Sequence, residues 1–348
     1  MRLDVDATYR GAMAVLLAGD SLDEAGAGAV ASALLDESLG APRAAALLTA
    51  LAGHTPTSDE LVGMAKTLRA RAIRVPFDGP VFDSCGTGGS GLSTANTSTT
   101  VAFVVAAAGV VVAKHGNRAS TGQCGSSDLL EALGVPVVIG PSDAARLLER
   151  VGVAFLFAPA YHPALAVVGP VRKALGFRTV FNLLGPLCNP AGARRQLLGL
   201  SDPRALEIVA NALGRLGVDD AMVVSGEDGL DEVSLAARTR GVRVGRDGAS
   251  VSLEIEPTDA GVESAACEAL VGGGPSENAA IFERVLGGDD GPHARLVALN
   301  AGAALMVAGI ASNLREGTGR ARDLLRSGAA RQTFSRFREE SRALARAA

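Results

Sequence analysis

The segment Asp83-Ser-Cys-Gly-Thr-Gly-Gly-Ser-Gly91 puts four glycines within six residues, directly after an apolar strand candidate. Glycine loses the most backbone entropy on ordering and offers nothing to pack, so such a run is expected in a loop. An apolar helix through Val101 and Ala108 follows, which makes a strand–loop–helix unit. Glycines in that position let backbone amides approach an anion, and amide concavities of this kind bind phosphate. Taken alone the loop is equally compatible with a plain turn.

Two further clusters lie close by. Thr94-Ala-Asn-Thr-Ser-Thr99 stands between the loop and the helix. Asn, Ser and Thr at a helix start are ordinary capping residues. Several together, after a glycine loop, also combine hydroxyls, free amides and the positive helix end into a phosphate site. A buried apolar run then ends in Lys114-His-Gly-Asn-Arg118, followed by Ala119-Ser-Thr-Gly-Gln-Cys-Gly-Ser126 and Asp128. A solvated loop accounts for any one of these residues. Three donor-rich glycine clusters within about forty residues favour a phosphate ligand.

Around this centre the chain divides in two. Residues 1–72 read as helices alone. Ser21 to Glu24 and Thr57 to Glu60 fit the capping box, Pro42 suits a helical first turn, and Leu61, Met64, Ala65 and Leu68 recur at helical spacing. Ile73 to Pro80 reads as a linker. Beyond it Val135–Ile139, Val153–Phe157 and Ala221–Val224 are strand candidates, with helices at Ala144–Val151 and Ala205–Leu216. Val242 to Ile255 alternates around Asp247-Gly248 as a hairpin does, and Leu296–Asn313 and Gln332–Arg346 close the chain as helices. The expected fold class is α/β: a small helical domain over 1–72, joined by a segment near 161–183, and a larger domain over 73–348 with a central, mostly parallel sheet.

Composition narrows the function. With 348 residues, about two domains are expected. Apolar residues at 48% against 20% charged can bury a core, which excludes a disordered chain. Lys plus Arg is 33 and Asp plus Glu 37, a net charge of −4, so a non-specific nucleic-acid footprint is not expected. The longest apolar or glycine stretch, Val101 to Ala113, is shorter than the ~18 residues of a membrane span. The start of the chain does not read as a signal peptide. Cysteines 85, 124, 188 and 267 lie far apart without a CxxC pair, as expected of free thiols in the cytoplasm.

Taken together, GTGGSG, NTST, KHGNR and GSSDLLEALG resemble the anthranilate phosphoribosyltransferase family. So do Phe157-Ala-Pro-Ala-Tyr-His-Pro163, Arg178-Thr-Val-Phe-Asn-Leu-Leu-Gly-Pro-Leu187, Asn189-Pro190 and Leu230-Asp-Glu-Val233. The resemblance spans nearly the whole chain. It implies transfer of phosphoribose from phosphoribosyl pyrophosphate (PRPP) to the amine of anthranilate, a Mg²⁺ cofactor, and a homodimer joined through helical domains. It implies a PRPP site of Gly86, Gly89, Ser90, Thr94, Asn96, Thr97, Ser98, Thr99, Lys114, His115, Gly116, Asn117, Arg118, Ala119, Ser120, Thr121, Gly122 and Ser126. Gly86, Asn117, His162 and Arg172 would face the acceptor, and Ser98, Asp231 and Glu232 would hold the metal. Apart from the resemblance, Arg172 reads as a surface arginine, Asp231-Glu232 as a solvated pair and His162 as a packed histidine.

The chain also departs from the family pattern. Ser90 stands where GTGGDG has aspartate, Ala95 replaces an aromatic, Cys188 replaces threonine in GPLTNP, and Ala166 stands where a basic residue is usual. Ala236-Ala-Arg-Thr replaces a Gly-Pro-Thr stretch. A paralogue with another aromatic carboxylate acceptor, a nucleoside phosphorylase and a nucleic-acid-binding relative are the competing readings. KHGN in place of a KHS-type motif weighs against the second, and the acidic balance against the third.

Overall fold

A computed structural model describes residues 3–89, 91–92, 94–119 and 122–347. Four helices come first: α1 (Val5–Leu17), α2 (Glu24–Leu34), α3 (Ala41–Ala52) and α4 (Ser58–Arg71). Thr57 and Glu60 form the expected capping box on α4, and Pro42 sits in the first turn of α3. The second expected box is absent. Asp23, one residue before α2, caps it by accepting from the Gly26 amide, and the shorter path from Asp23 displaces Ser21. The linker runs without regular structure, and its amides find partners distant in the chain: Ile73 donates to the Tyr161 carbonyl and Val75 to that of Pro190.

The sheet then builds from the middle outward. Strand β1 (Phe82–Gly86) leads through α5 (Thr97–Ala107) to β2 (Val112–Gly116), and through α6 (Ser126–Ala132) and α7 (Pro141–Val151) to β3 (Val153–Phe157). Short helices α8 (Ala158–Tyr161), α9 (Gly169–Leu175) and α10 (Phe181–Leu184) carry the chain back to β4 (Arg195–Gly199), on the other side of β1. Helix α11 (Leu206–Arg215) leads to β5 (Asp220–Gly226), and the hairpin of β6 (Thr239–Gly245) and β7 (Ser250–Ile255) adds two antiparallel strands. The order is β3-β2-β1-β4-β5-β6-β7, parallel from β3 to β5. Helices α12 (Pro275–Leu286), α13 (Pro292–Val307), α14 (Leu314–Arg326) and α15 (Ala329–Ala347) finish the chain.

Two expectations need correction. Val135–Ile139 is not a strand: Val135, Val137 and Ile139 are buried, but in irregular chain between α6 and α7. A short apolar run signals burial, and burial without a pairing partner gives a coil. The expected helix to Asn313 ends at Val307, and the polar stretch after it starts α14, capped by Asn313.

Side chains alternate across the sheet as strand geometry requires. Leu197, Met222 and Val224 face one layer, with α5 and α13. Leu198, Val223 and Val242 face the other, where α11 packs. That second layer is continuous with Leu34, Leu47, Leu48 and Leu61 of the first four helices. Among the described residues no helix is long and apolar enough to cross a membrane.

Candidate active site

The chain leaves β1 toward β2 on one side and returns to β4 on the other. A crevice at the carboxyl ends of the strands follows from that reversal, and open α/β sheets bind ligands there. Gly86 and Gly199 end β1 and β4 side by side. Both are required by a close approach. A Cβ on Gly86 would stand 2.1 Å from Asp231 Oδ2, and one on Gly199 would stand 1.7 Å from the Asp231 carbonyl oxygen. The turn carrying Asp231 and Glu232 lies directly on the strand ends.

The other side of β1 is opened. Five residue pairs register β1 with β4, whereas among the described residues β1 and β2 pair only at Phe82 and Val112. Side chains replace the missing ladder. Lys114 Nζ donates to the Ser84 carbonyl at 2.8 Å, and the Asp83 carboxylate accepts from the His115 amide at 3.2 Å. Asn189 Nδ2 donates to the Ala113 carbonyl and to Asp83, each at 2.8 Å. Buried backbone groups must find partners, so the sheet can splay here without leaving them orphaned.

A cleft of about 570 Å³ occupies this region. It brings together Gly86, Gly89, Thr94, Asn96, Thr97, Ser98, Lys114 to Ala119, Gly122, Ser126, His162, Arg172, Asp231 and Glu232. Thr99 is not among its lining; its side chain is fully buried in α5 with Oγ1 unpartnered. Ser90, Ser120 and Thr121 lie outside the described residues. Arg118 lines the cleft, yet its guanidinium is spent on Asp128 and Glu131 of α6, at 2.9 and 2.7 Å. Asn96 is similarly committed: its Nδ2 donates to the Cys124 carbonyl at 3.0 Å.

Opposite charges meet in the cleft. Burial lowers the Lys114 ammonium from its ordinary range, while Asp83, Cys85 and Glu232 pull the other way. Lys114 also donates to Ser98 Oγ at 3.3 Å. At the acidic end, burial and the neighbouring Asp231 charge push Glu232 well above the carboxylate range, and its Oε2 is buried without a partner. Asp231 is raised by burial, although the Gly88 amide donates to its Oδ2 at 2.7 Å. Two adjacent half-buried carboxylates, one with a buried orphaned oxygen, line a small cavity together with Ser98 and fit a hard divalent cation. Among the described residues no group of three or more His, Cys, Asp or Glu forms a complete metal cage. Mg²⁺ suits that economy, since it retains waters and takes oxygens from a bound phosphate ester.

The same cleft is lined by an arginine beside an aromatic ring and by two histidines. Arg172 is half-buried over the Phe181 ring at 5.1 Å, and burial lowers its guanidinium. No carboxylate pairs with it among the described residues, so it presents a planar fork to the cleft. Burial lowers His162, and burial with His162 beside it lowers His115 to about 3; the two rings stand 5.2 Å apart. Both Nε2 atoms are buried without a partner.

Sequence reasoning missed several residues. Arg178 lines the cleft and donates to the Gly88 carbonyl and to Ser201 Oγ, holding the glycine loop from outside. Its signal was its place at the head of the RTVFNLLGPL stretch. Asp83, Gly199 and Asn300 gave none that a single chain shows. Asn300 accepts from the Val233 amide and donates to the Val233 carbonyl, both at 2.8 Å, and so fixes the residue after Glu232.

A crevice at the reversal point, with hydroxyls and amides at one end and paired acids beside them, defines an α/β glycosyltransferase. The family model described as "Glycosyl transferase family, a/b domain" matches residues 78–331. An anthranilate phosphoribosyltransferase of Roseiflexus sp. (strain RS-1) is 48% identical over 299 residues, covering 86% of this chain and 88% of its own. The crystal structure of anthranilate phosphoribosyltransferase from Thermus thermophilus is 44% identical with a TM-score of 0.89, over 95% of this chain and 99% of that one. The Saccharomyces cerevisiae enzyme, in complex with PRPP and Mg, is 28% identical with a TM-score of 0.88, over 97% and 99%. The chain belongs to the anthranilate phosphoribosyltransferase family.

Proposed function

We propose that the chain transfers phosphoribose from PRPP to the amine of anthranilate, giving N-(5-phosphoribosyl)anthranilate and pyrophosphate. The observation that carries this reading is one cleft lined both by an arginine without a carboxylate partner among the described residues and by an acidic pair with one orphaned oxygen, Glu232 Oε2. A substrate with a carboxylate and a substrate with a metal-bound diphosphate answer those two needs. The relatives above are named anthranilate phosphoribosyltransferase, and the Saccharomyces cerevisiae one is described in complex with PRPP and Mg.

In this reading the diphosphate lies against the glycine loop at Gly86 and Gly89, the start of α5 at Thr94 to Ser98, and Lys114 to Gly122 with Ser126. Helix α5 contributes first-turn amides that have no acceptor within the helix. Asp231, Glu232 and Ser98 would hold Mg²⁺, which when bound neutralises charge on the departing pyrophosphate. Arg172 takes the acceptor carboxylate, with His162, Asn117 and Gly86 lining its ring. The amine lone pair then forms the bond to the anomeric carbon as the bond to pyrophosphate breaks, and the amine afterwards loses one proton. A neutral aromatic amine needs no strong base, so the chain's task is positioning. Lys114, held on Ser84 and Ser98, places a positive charge where negative charge grows.

The first helical layer, with the segment near 161–183, is the part of this reading that closes the acceptor end. The exposed Leu17 on α1 supports a homodimer through that layer. Four free cysteines support a reducing, cytoplasmic setting. The test is direct: incubation with PRPP, Mg²⁺ and a panel of amino- and hydroxybenzoates, following acceptor fluorescence and pyrophosphate release. Anthranilate should be consumed at the highest kcat/KM. Turnover of another benzoate in its place would move the chain to a paralogous acceptor.

A further inference from the structure

Asn278 lies outside the cleft lining, and nothing in the sequence drew attention to it. It stands in the first turns of α12, 2% exposed, with its side chain turned toward the start of α5. Its Oδ1 accepts from the backbone amide of Asn96 at 2.9 Å. Its Nδ2 donates to the carbonyls of Gly273 and Gly274, at 2.8 and 3.1 Å. One carboxamide therefore ties the residue preceding α5 to the turn preceding α12.

The surrounding chain makes the same junction. Thr94 and Val271 form an isolated antiparallel bridge, and the Ala95 amide donates to the Leu270 carbonyl at 3.1 Å. Gly272 is pressed against this strand: a Cβ there would stand 2.7 Å from Ala95 Cα. Behind it Phe103 of α5 and Phe282 of α12 meet edge-on at 5.7 Å. Asn96 then passes the link onward through its own Nδ2 to the Cys124 carbonyl, in the loop after Lys114.

Asn96 does not cap α5 with its side chain. Its placement comes instead from the amide held by Asn278 and the carboxamide held by Cys124. Helix ends aim their amides only as well as the preceding residue is fixed, and a small displacement of such donors weakens a charge-assisted contact. We infer that Asn278 is a positioning residue for PRPP: it sets the start of α5, and through Asn96 the chain at Cys124 just before α6, in the geometry that receives the diphosphate. This rests on the proposed PRPP reading of the cleft. It makes α12, which touches no substrate, a determinant of donor affinity and leaves the acceptor end untouched.

Two variants separate this role from general stability. Asn278→Ala removes both functions of the carboxamide. Asn278→Ser withdraws the acceptor from Asn96 but can return a hydroxyl to the Gly274 carbonyl, the i−4 partner that serine favours in helices. The assay measures KM for PRPP and for anthranilate, kcat, thermal midpoint, and PRPP binding by calorimetry with Mg²⁺ present. Both variants should raise the PRPP KM and the calorimetric Kd about tenfold, with anthranilate KM within about twofold of wild type. Asn278→Ser should recover much of the stability lost in Asn278→Ala and none of the PRPP affinity. An unchanged PRPP Kd in Asn278→Ser, or equal rises in both KM values, would overturn the inference. Failure of the wild-type protein to bind PRPP would instead remove the reading beneath it.

Discussion

At the scale of single residues, the site is a set of side chains whose charged forms burial disfavours. Glu232 is half-buried beside Asp231 with its Oε2 atom buried and unpartnered, so ionising it costs the ligand-free fold stability. Glu232→Gln keeps the shape and removes that charge. The ligand-free variant should melt higher than wild type, by an amount equivalent to roughly 1 kcal/mol or more. Mg²⁺ should no longer shift its midpoint, and turnover should collapse. A midpoint that falls, with an undiminished Mg²⁺ shift, would show that Glu232 is stably paired. His115 carries the opposite lesson. Its folded value is about 3 against 6.5 in the unfolded chain, because burial disfavours the imidazolium. Between those values the unfolded chain binds a proton that the folded chain refuses. The residue's contribution is therefore complete above about 6.5 and is lost as pH falls toward 3, at up to about 1.4 kcal/mol per unit. His115→Gln should flatten the fall in urea-unfolding free energy between about pH 6.5 and about pH 4. Parallel curves would mean that the ring is protonated in the fold. The motif letters pointed to both residues, but burial and orphaned atoms depend on what packs around them, which no motif spells out.

At the scale of elements, the reversal of the sheet between β1 and β4 turns strand ends into a binding floor. Gly86 and Gly199 are glycines for the same reason, the approach of Asp231, but the two contacts differ. A Cβ on Gly86 meets chiefly the end of a side chain, with the Asp231 carbonyl oxygen at 3.0 Å, whereas one on Gly199 meets the backbone of the turn at 1.7 Å. A side chain can rotate away and a backbone can move only with its element. Gly199→Ala should cost about 3 kcal/mol and Gly86→Ala about 1 kcal/mol, measured by urea unfolding, and both should impair turnover. Equal costs, or full activity in both, would place the Asp231 turn elsewhere. The sequence showed Gly86, because it begins a glycine run. It could not show Gly199, an isolated glycine whose neighbour is 32 residues away in the chain. The opened β1–β2 edge was hidden for the same reason: Asp83, Lys114 and Asn189 meet only after three elements are assembled. Local signals did find elements with local causes, the Thr57 capping box and the β6–β7 hairpin among them. They failed at Val135–Ile139, where strand character depends on a neighbour to pair with.

At the scale of the whole molecule, the helical start of the chain was legible from its pattern, but its relation to the sheet was not. Leu34, Leu47, Leu48 and Leu61 share one apolar core with Leu198, Val223 and Val242, because α4 packs on α11 and α11 in turn packs on β5 and β6. Polar ties cross the same boundary. Arg69 of α4 donates from Nε to the Leu187 carbonyl at 2.7 Å and from Nη1 to that of Leu216 at 3.2 Å, and Ser58 Oγ donates to the Ile208 carbonyl. A layer that shares its core has no separate reason to remain folded when the sheet opens. The chain should therefore unfold in one cooperative transition despite its 348 residues, a length at which intermediates are common. Its composition supplies the probes. There is no tryptophan, and the two tyrosines fall on opposite sides of the boundary, Tyr9 in α1 and Tyr161 buried against the sheet. In a Tyr9→Phe background, tyrosine fluorescence reports the sheet side while circular dichroism reports all helices. The two urea transitions should coincide. Adding Arg69→Met, which keeps the length and removes the donors, should lower the unfolding free energy by roughly 2 kcal/mol and leave them coincident. If circular dichroism instead changes ahead of Tyr161 fluorescence, the first helices melt on their own. The shared core would then be a contact between two independent bodies.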